Sequence, residues 1–311
     1  MFRIIFPRPG NLVDVGARGT LPHPWGTIFE ERLNIVAFEP GGDDVQVPLT
    51  PGSLSRIVPK LANSVPGTLP FYLNINPYTS SVFPPNLEEI KAFERQHWEH
   101  RQPRKECSFE ATTLDEVLGG MEGFNPHFIK IDTQGSEWEI LKGAEKELRR
   151  GSPLVLVETW TFPVYKGAKP AHAVLELLEG YGYRTIEVNR AAAWRYETNG
   201  AVKRARQGLI GLDILLAKRP ELTATSDIAE GDLVAIAGLL ELYGFRDYAY
   251  HLIELSKLAS DGKKTLLTSL AANDAWEGTF TGRMRRSNKQ RWRSLCRSLG
   301  LSPIYPPSLH E

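Results

Sequence analysis

The chain has 311 residues, with 37 basic and 37 acidic side chains, so its formal net charge is zero. Hydrophobic residues make up 41% and charged residues 24%, which is typical of a folded globular chain and excludes a disordered or fibrous one. A neutral balance gives no overall field that would attract nucleic acid, so no specific nucleic-acid partner is expected.

The cysteine content and the apolar runs indicate a cytoplasmic protein. Cys107 and Cys296 lie far apart in sequence and provide no disulfide framework, which suits a reducing compartment. The first ten residues contain too short an apolar run for a secretory signal. No stretch approaches the roughly 18 apolar residues of a membrane span, so no transmembrane segment is expected.

The first two thirds of the chain alternates strand-like and helix-like segments. Apolar runs predict strands at Asn11–Val15, Asn34–Phe38, Thr68–Leu73, Phe128–Ile131, Leu154–Val157, Arg184–Val188 and Leu212–Ala217. Helical spacing of apolar side chains predicts helices at Ser136–Leu148 and Ala171–Leu178. This alternation, with strands that are apolar along their length, predicts an α/β fold with a mostly parallel sheet and helices on both faces.

The pattern changes after Pro220, where strand signals end and helical patterns occupy the region from Ile228 to Ser260. We therefore predict an α/β domain over residues 1–219 and a helical appendage over residues 220–311. The tail from Thr281 to Arg297 carries seven basic residues and no acidic one. Such a tail is typical of a solvated helix face or of contact with an anionic partner, and the sequence leaves both open.

Polar residues follow most of the predicted strands. In an open parallel sheet, ligands bind beyond the carboxyl ends of the strands, so a cleft is expected where these residues lie. In chain order they are Asp14, Gly16, Arg18 and Gly19, then Glu39, then Ser80 and Ser81, then Asp132, Gln134 and Glu137, then Glu158 and Thr159.

The first two strand ends indicate a nucleoside-containing cofactor. Gly16 and Gly19 of the loop DVGARG permit a tight turn and a close approach of the backbone to a ligand. Glu39, about twenty residues further on, is placed to accept hydrogen bonds from ribose hydroxyls. Asp14 stands where a dinucleotide-binding loop begins with glycine, and its carboxylate would repel a pyrophosphate. The same carboxylate suits the amino group and sulfonium cation of S-adenosylmethionine.

These segments together resemble the FkbM-type methyltransferases, a branch of the S-adenosylmethionine-dependent Rossmann-like enzymes. The matching pieces are NLVDVGARG, IVAFEP, FYLNINPYTSSVFPPN, TTLDEVL, FIKIDTQGSEWEILKGA and LVLVET. They lie in the family's order between Asn11 and Lys218, and the strand–DTQGSE–helix piece is the most specific of them. Arg18 departs from the family pattern, which often has asparagine there, and the helical appendage lies outside the resemblance.

The resemblance implies a Rossmann-like class I fold and methyl transfer to a hydroxyl of a small molecule or a sugar unit. It assigns cofactor binding to Asp14, Gly16, Gly19, Glu39 and Ser81, the first three around the methionine part and Glu39 at the ribose. It places Ser80 and Ser81 near the cofactor or the acceptor. Asp132 would stand at the point of methyl transfer.

Two carboxylates are candidates for the catalytic step, because a hydroxyl acceptor must lose a proton and a carboxylate within hydrogen-bond reach can accept it. Asp132 is predicted to be the general base or an acceptor-orienting group. Glu137 is either a second catalytic carboxylate or a helix-start residue, since a helix beginning near Ser136 would place it in the first turn. Lys130 lies either at a sheet edge or in the site.

Two other functions are compatible with part of the pattern. A nicotinamide-dependent oxidoreductase is disfavoured by Asp14 and by the absence of a clear Tyr-x-x-x-Lys pair in the sequence. A non-catalytic cofactor-binding scaffold, whose basic tail recruits a partner, is the other alternative. His97 and His100 have a spacing that metal sites use, but no third ligand is evident, so no metal is expected.

Overall fold

The computed structural model describes residues 9–18, 33–41, 45, 54–202 and 205–278, with side chains up to residue 271. Two features predicted from the sequence, Gly19 and the basic tail from Thr281 to Arg297, lie outside the described residues.

The described residues contain ten strands and ten α-helices. The strands are β1 (Gly10–Val15), β2 (Leu33–Phe38), β3 (Arg56–Val58), β4 (Leu61–Ala62), β5 (Gly67–Asn74), β6 (Pro103–Thr112), β7 (Phe128–Ile131), β8 (Leu154–Trp160), β9 (Tyr183–Trp194) and β10 (Gly208–Lys218). The helices are α1 (Leu87–Ile90), α2 (Arg95–Glu99), α3 (Leu114–Gly119), α4 (Glu137–Lys142), α5 (Glu145–Arg150), α6 (Ala171–Gly180), α7 (Pro220–Thr225), α8 (Glu230–Leu242), α9 (Arg246–Leu255) and α10 (Ser260–Gly278).

Seven strands form the main sheet in the order β3-β2-β1-β7-β8-β10-β9. The pairs from β3 to β8 are parallel, whereas β10 runs antiparallel to both β8 and β9. The prediction of a mixed α/β chain with a mostly parallel sheet is therefore confirmed. The order places β1 and β7 side by side at the centre, so the loops that follow these two strands meet at one edge of the sheet.

The central strands are apolar because they are buried along their length. Every residue of β1 and β2 is buried, as expected for parallel strands that are covered by other parts of the chain. One face of the sheet, with Val13, Ile129 and Val157, packs in a single core with side chains of α3, α4, α5 and α6.

The third predicted strand, Thr68–Leu73, does not belong to the main sheet. The prediction that it is part of the alternating strand–helix series was therefore wrong. The residues of this strand belong to β5, an edge strand of a separate three-stranded sheet of order β4-β6-β5, where β5 pairs antiparallel with β6. The edge position accommodates Pro70, which lacks a backbone N–H. The partner strand β6 was not predicted, because most of its first eight residues are exposed and many are charged.

The predicted helix Ser136–Leu148 is two helices, α4 and α5. The break falls at Gly143, where an added Cβ would overlap the backbone carbonyl oxygen of Asn63. Close packing against that carbonyl explains the glycine, whose N–H donates to the Glu139 carbonyl at 3.0 Å as the C-cap of α4.

Two compact units divide the chain between Ile236 and Ala237, inside α8. The larger contains both sheets, and the smaller contains α9 and α10, which pack together. The domain boundary at residue 219 stays a prediction. Among the described residues, no helix combines the length and apolar character needed to cross a membrane.

Candidate functional site

A cleft lies at the carboxyl ends of β1, β2 and β7. Its polar lining comes from separate loops and includes Arg18, Glu39, Lys60, Ser80, Lys130, Asp132, Gln134 and Ser136. Its apolar lining includes Phe38, Leu61, Ala62 and Phe71. The main sheet and the smaller sheet therefore both contribute walls.

Gly16 forms the tight turn after β1. Its φ of +80° lies in the left-handed region, and an added Cβ would overlap the backbone carbonyl oxygen of Asp132. The Gly16 N–H donates to the Phe38 carbonyl at 3.0 Å, and the Asp132 N–H donates to the Val15 carbonyl at 3.0 Å. The turn is thus held between the ends of β2 and β7, with no room for a side chain.

Asp14 lies beneath the cleft and is paired with Lys130. The two residues face each other across β1 and β7, with Lys130 Nζ 3.2 Å from Asp14 Oδ1 and 3.9 Å from Asp132 Oδ2. Burial raises the pKa of Asp14, and Lys130 opposes that rise. Burial alone would lower the pKa of Lys130, but the carboxylates of Asp14 and Asp132 raise it, so the lysine stays cationic. Lys130 therefore lies in the site, and its positive charge partly offsets the negative charges of Asp14 and Asp132.

Gln134 connects two carboxylates, Asp132 in the cleft and Glu158 on β8. Its Nε2 donates to Asp132 Oδ1 at 3.1 Å and to Glu158 Oε1 at 3.0 Å. Burial raises the pKa of Glu158 to about 8, and the neighbouring charges of Asp132 and Asp213 add to that rise. Asp213 faces Glu158 from β10, and burial raises its pKa as well.

Glu137 lies under the loop that follows β7 rather than along the cleft wall. Its Oε1 accepts hydrogen bonds from the Gly135 N–H at 2.8 Å, the Thr133 N–H at 3.3 Å and the Thr133 hydroxyl at 3.2 Å. Its Oε2 is buried with no hydrogen-bond partner among the described residues. Burial raises its pKa to about 7, although the backbone N–H of Gly135 opposes the rise. In this position Glu137 organises the loop that carries Asp132.

The remaining predicted site residues divide between the cleft wall and the interior. Glu39 follows β2 and lines the cleft. Ser80 also lines it, and the Ser80 hydroxyl accepts from the Asn74 N–H at 3.1 Å. Ser81 is fully buried, and its hydroxyl accepts from the Phe83 N–H at 3.1 Å. Its side chain therefore supports the cleft loop from inside.

Sequence reasoning did not single out Asp213, and it placed Gln134 among the polar residues of the expected cleft without giving it a catalytic or binding role. A signal for Asp213 was available, because it is a carboxylate inside the otherwise apolar run LDILLA. No sequence pattern predicts that the Gln134 amide contacts both Asp132 and Glu158, because those contacts depend on how the loop after β7 folds.

Two other places, the histidines at α2 and a cavity beside the β9–β10 hairpin, offer no further site for the predicted chemistry among the described residues. The described residues contain no group of three His, Cys, Asp or Glu side chains that could hold a metal ion. His97 instead stacks on Trp194 at a centroid distance of 4.8 Å. A larger cavity of about 600 Å³, at the end of the β9–β10 hairpin, is lined by Phe93, Phe162 and Trp194 among others. It contains none of the predicted site residues.

Comparison with known proteins found a matching family model. Residues 31–185 match the family model described as the methyltransferase FkbM domain. Among solved structures, methyltransferase FkbM from Methylobacillus flagellatus KT is similar over 66% of this chain, at 13% identity and a TM-score of 0.37. The chain spans 43% of that structure's length. No curated protein matches the chain.

Proposed function

The chain carries an FkbM methyltransferase domain over residues 31–185, which places it in that family, and we propose that it uses S-adenosylmethionine as the methyl donor. We further propose the Rossmann-like class I fold, with helices on both faces of the sheet. The acceptor is a hydroxyl of a small molecule or a sugar unit. The observation that carries this proposal is the turn at Gly16, which packs against Asp132 at the edge where Glu39 also lies.

The side chains of the cleft fit the proposed cofactor. The Glu39 carboxylate can accept hydrogen bonds from both ribose hydroxyls. Leu61 and Ala62 offer an apolar wall that suits a purine base. The Asp132 carboxylate suits a cation, although Lys130 at 3.9 Å offsets part of its charge. Asp14 acts through Lys130 rather than by direct contact, and Gly19 stays a prediction.

The chain's own residues would do three things in the reaction. When bound, S-adenosylmethionine supplies an electrophilic methyl group on a sulfonium cation. The cleft walls hold the acceptor hydroxyl in line with that methyl group, which contributes several kcal/mol through orientation. Lys130 and Gln134 fix Asp132, which orients the hydroxyl or accepts its proton. Glu137 keeps the Asp132 loop in shape.

Location and further partners belong to the same proposal. We place the protein in the cytoplasm, and we propose that the basic tail from Thr281 to Arg297 meets an anionic partner. Neither point bears on the chemistry of the cleft.

Replacement of Glu39 by alanine should weaken cofactor binding while leaving the fold intact. The lost hydrogen bonds to a charged acceptor are worth about 1.5–3 kcal/mol, which corresponds to a roughly tenfold to hundredfold rise in Kd. The measurement is a thermal shift with S-adenosylmethionine and with S-adenosylhomocysteine. At a hundred times Kd, a ligand should stabilise the wild type by about 2.7 kcal/mol.

The controls separate the proposed function from its two rivals. Glu89→Ala removes an exposed carboxylate on α1 and should leave the thermal shift unchanged. A shift with NAD but with neither sulfur compound would favour an oxidoreductase. Binding of S-adenosylmethionine, without formation of S-adenosylhomocysteine against any of a panel of sugars and polyols, would favour a scaffold.

A further inference from the structure

Glu158 and Asp132 form a pair of carboxylates that the Gln134 amide joins. Asp132 follows β7 and lines the cleft, whereas Glu158 lies inside the neighbouring parallel strand β8, and both are only partly buried. Glu158 also faces Asp213 on β10, so it lies between two other carboxylates. Asp132 has a cation 3.9 Å away in Lys130.

We propose that Glu158 holds a proton in the cofactor-free protein, releases it when the sulfonium cation binds, and then takes up the proton of the acceptor hydroxyl, with Gln134 as the residue that positions the pair. This inference rests on the proposed function, because it concerns the site that would hold S-adenosylmethionine. It assigns Glu158 the role of base and leaves Asp132 to orient.

The Gln134 side chain has its orientation fixed from both ends. Both hydrogens of its Nε2 are directed at carboxylates, at 3.1 Å from Asp132 Oδ1 and 3.0 Å from Glu158 Oε1. Its Oε1 lies 3.1 Å from the Tyr165 hydroxyl, which is also 2.8 Å from the Thr79 carbonyl oxygen. Tyr165 is fully buried, so the hydroxyl cannot swing away to water. A flipped amide would point its oxygen at the two carboxylates and lose both N–H contacts.

The backbone at Gln134 supports a positioning role. Its φ of +61° lies in the left-handed region, which a residue with a Cβ adopts at some cost. That conformation turns the side chain back toward Asp132, two residues earlier, while still reaching β8. A turn alone would be served better by glycine or asparagine, so the glutamine is explained by what its amide holds.

The charges around Glu158 favour its neutral form until a cation arrives. The groups that act on it are Asp132 and Lys130 from β7, Asp213 from β10, Glu137 from α4, and Tyr165. Acidic neighbours outnumber the single lysine, and the Asp14 carboxylate already pairs with that lysine. Burial and the nearby carboxylates raise the pKa of Glu158, whereas the Gln134 N–H group lowers it. A sulfonium in the cleft adds a positive charge and favours the carboxylate.

Over one catalytic cycle, Glu158 returns to the protonation state from which it started. Cofactor binding moves the Glu158 proton to solvent. In the transfer step the acceptor O–H proton moves to Glu158 as the O–CH3 bond forms and the CH3–S bond breaks, with its electron pair going to sulfur. The thioether product carries no sulfonium charge, and Glu158 is again protonated, as in the cofactor-free protein.

The experiment is isothermal titration calorimetry of the full chain at pH 7.5, in buffers with different ionisation enthalpies. We expect the wild type to release up to about 0.8 proton more than Glu158→Gln when S-adenosylmethionine binds, because a group with a pKa of about 8 is roughly three-quarters protonated at pH 7.5. S-adenosylhomocysteine has the same amino acid part without the sulfonium, and no such difference is expected for it. Glu158→Gln should weaken S-adenosylmethionine binding by roughly fivefold and leave S-adenosylhomocysteine unchanged.

Repeating the titration across pH 6 to 9 tests the positioning role of Gln134. Gln134→Met removes the N–H donors, so the pH midpoint of proton release should move up. Asp132→Asn removes a neighbouring charge, so the midpoint should move down. Glu106→Gln, an exposed site on β6, is the matched control and should behave as the wild type.

The outcomes are distinct. Equal proton release with both ligands, or release that persists in Glu158→Gln, would overturn the inference. If Glu158→Gln does not fold, the opposite midpoint shifts of Gln134→Met and Asp132→Asn decide, and unchanged midpoints would overturn it. Failure of wild type to bind either ligand would instead overturn the proposed function itself.

Discussion

Replacement of Gly16 by alanine should lower the free energy of unfolding by roughly 3 kcal/mol and abolish stabilisation by S-adenosylmethionine. The left-handed φ of +80° costs a residue with a Cβ roughly 1–2 kcal/mol. The new methyl group would also overlap the Asp132 backbone carbonyl, so β1 and β7 would have to separate at their carboxyl ends. The measurements are urea unfolding followed by circular dichroism and a thermal shift with the cofactor.

Gly123→Ala is a matched control for this substitution. Gly123 has a φ of +77°, close to that of Gly16, but an added Cβ there would meet nothing within 4 Å. It should therefore show only the conformational cost, roughly 1–2 kcal/mol, and keep the thermal shift. Equal effects of the two substitutions would mean that the close approach to Asp132 contributes nothing.

The central sheet could be predicted from the sequence because its strands are apolar runs. Phe128–Ile131 was predicted with the bounds that β7 has, and β1 and β2 begin one residue earlier than predicted. A strand that is buried on both faces is apolar at nearly every position, so it can be recognised in the sequence without knowing which strands it pairs with. The same reasoning failed for β6, whose pairing with β5 and β4 depends on contacts far along the chain.

Which loops carry the site could also be predicted, but not which way each side chain points. Asp132 and Glu39 line the cleft, as strand-end residues should. Glu137, the first residue of α4, and Ser81, next to the cleft residue Ser80, instead turn inward to accept backbone N–H groups. Only the folded loop determines that direction, since one residue of offset reverses it. The bridge from Gln134 to Glu158 has the same origin, because it joins two strands that pair only in the fold.

Without cofactor, the protein should lose stability as the pH rises from about 5 to about 8. Glu137 has a pKa near 7 and Glu158 a pKa near 8 in the folded chain, both above the ordinary glutamate value of 4.5. Between these values the unfolded glutamates have lost their protons while the folded ones still hold theirs. Folding therefore binds protons, and its favourable contribution is lost as pH rises through the folded pKa values. Since one pKa unit corresponds to about 1.4 kcal/mol, the loss should amount to several kcal/mol.

Most other shifted groups act outside this window or in the same direction. The exception is His97: burial lowers its pKa, so it returns some stability as the pH rises towards its ordinary 6.5. Asp14 and Asp213 also have raised pKa values and add to the loss. Burial lowers the pKa of Lys218 to about 8, so the stability that it returns appears between that value and its ordinary 10.5. The measurement is urea unfolding at half-unit pH steps from 5 to 8, which avoids most of the lysine effect.

Single substitutions should divide the pH dependence between the two glutamates. Glu137→Gln should flatten the curve up to about pH 7, and Glu158→Gln should flatten it up to about pH 8. Glu106→Gln, on the exposed surface, should keep the wild-type slope. Saturating S-adenosylmethionine should also reduce the slope, because the sulfonium favours the ionised form of Glu158 while S-adenosylhomocysteine does not. A stability that stays level or rises over this range would show that these buried carboxyl groups ionise as ordinary surface groups do.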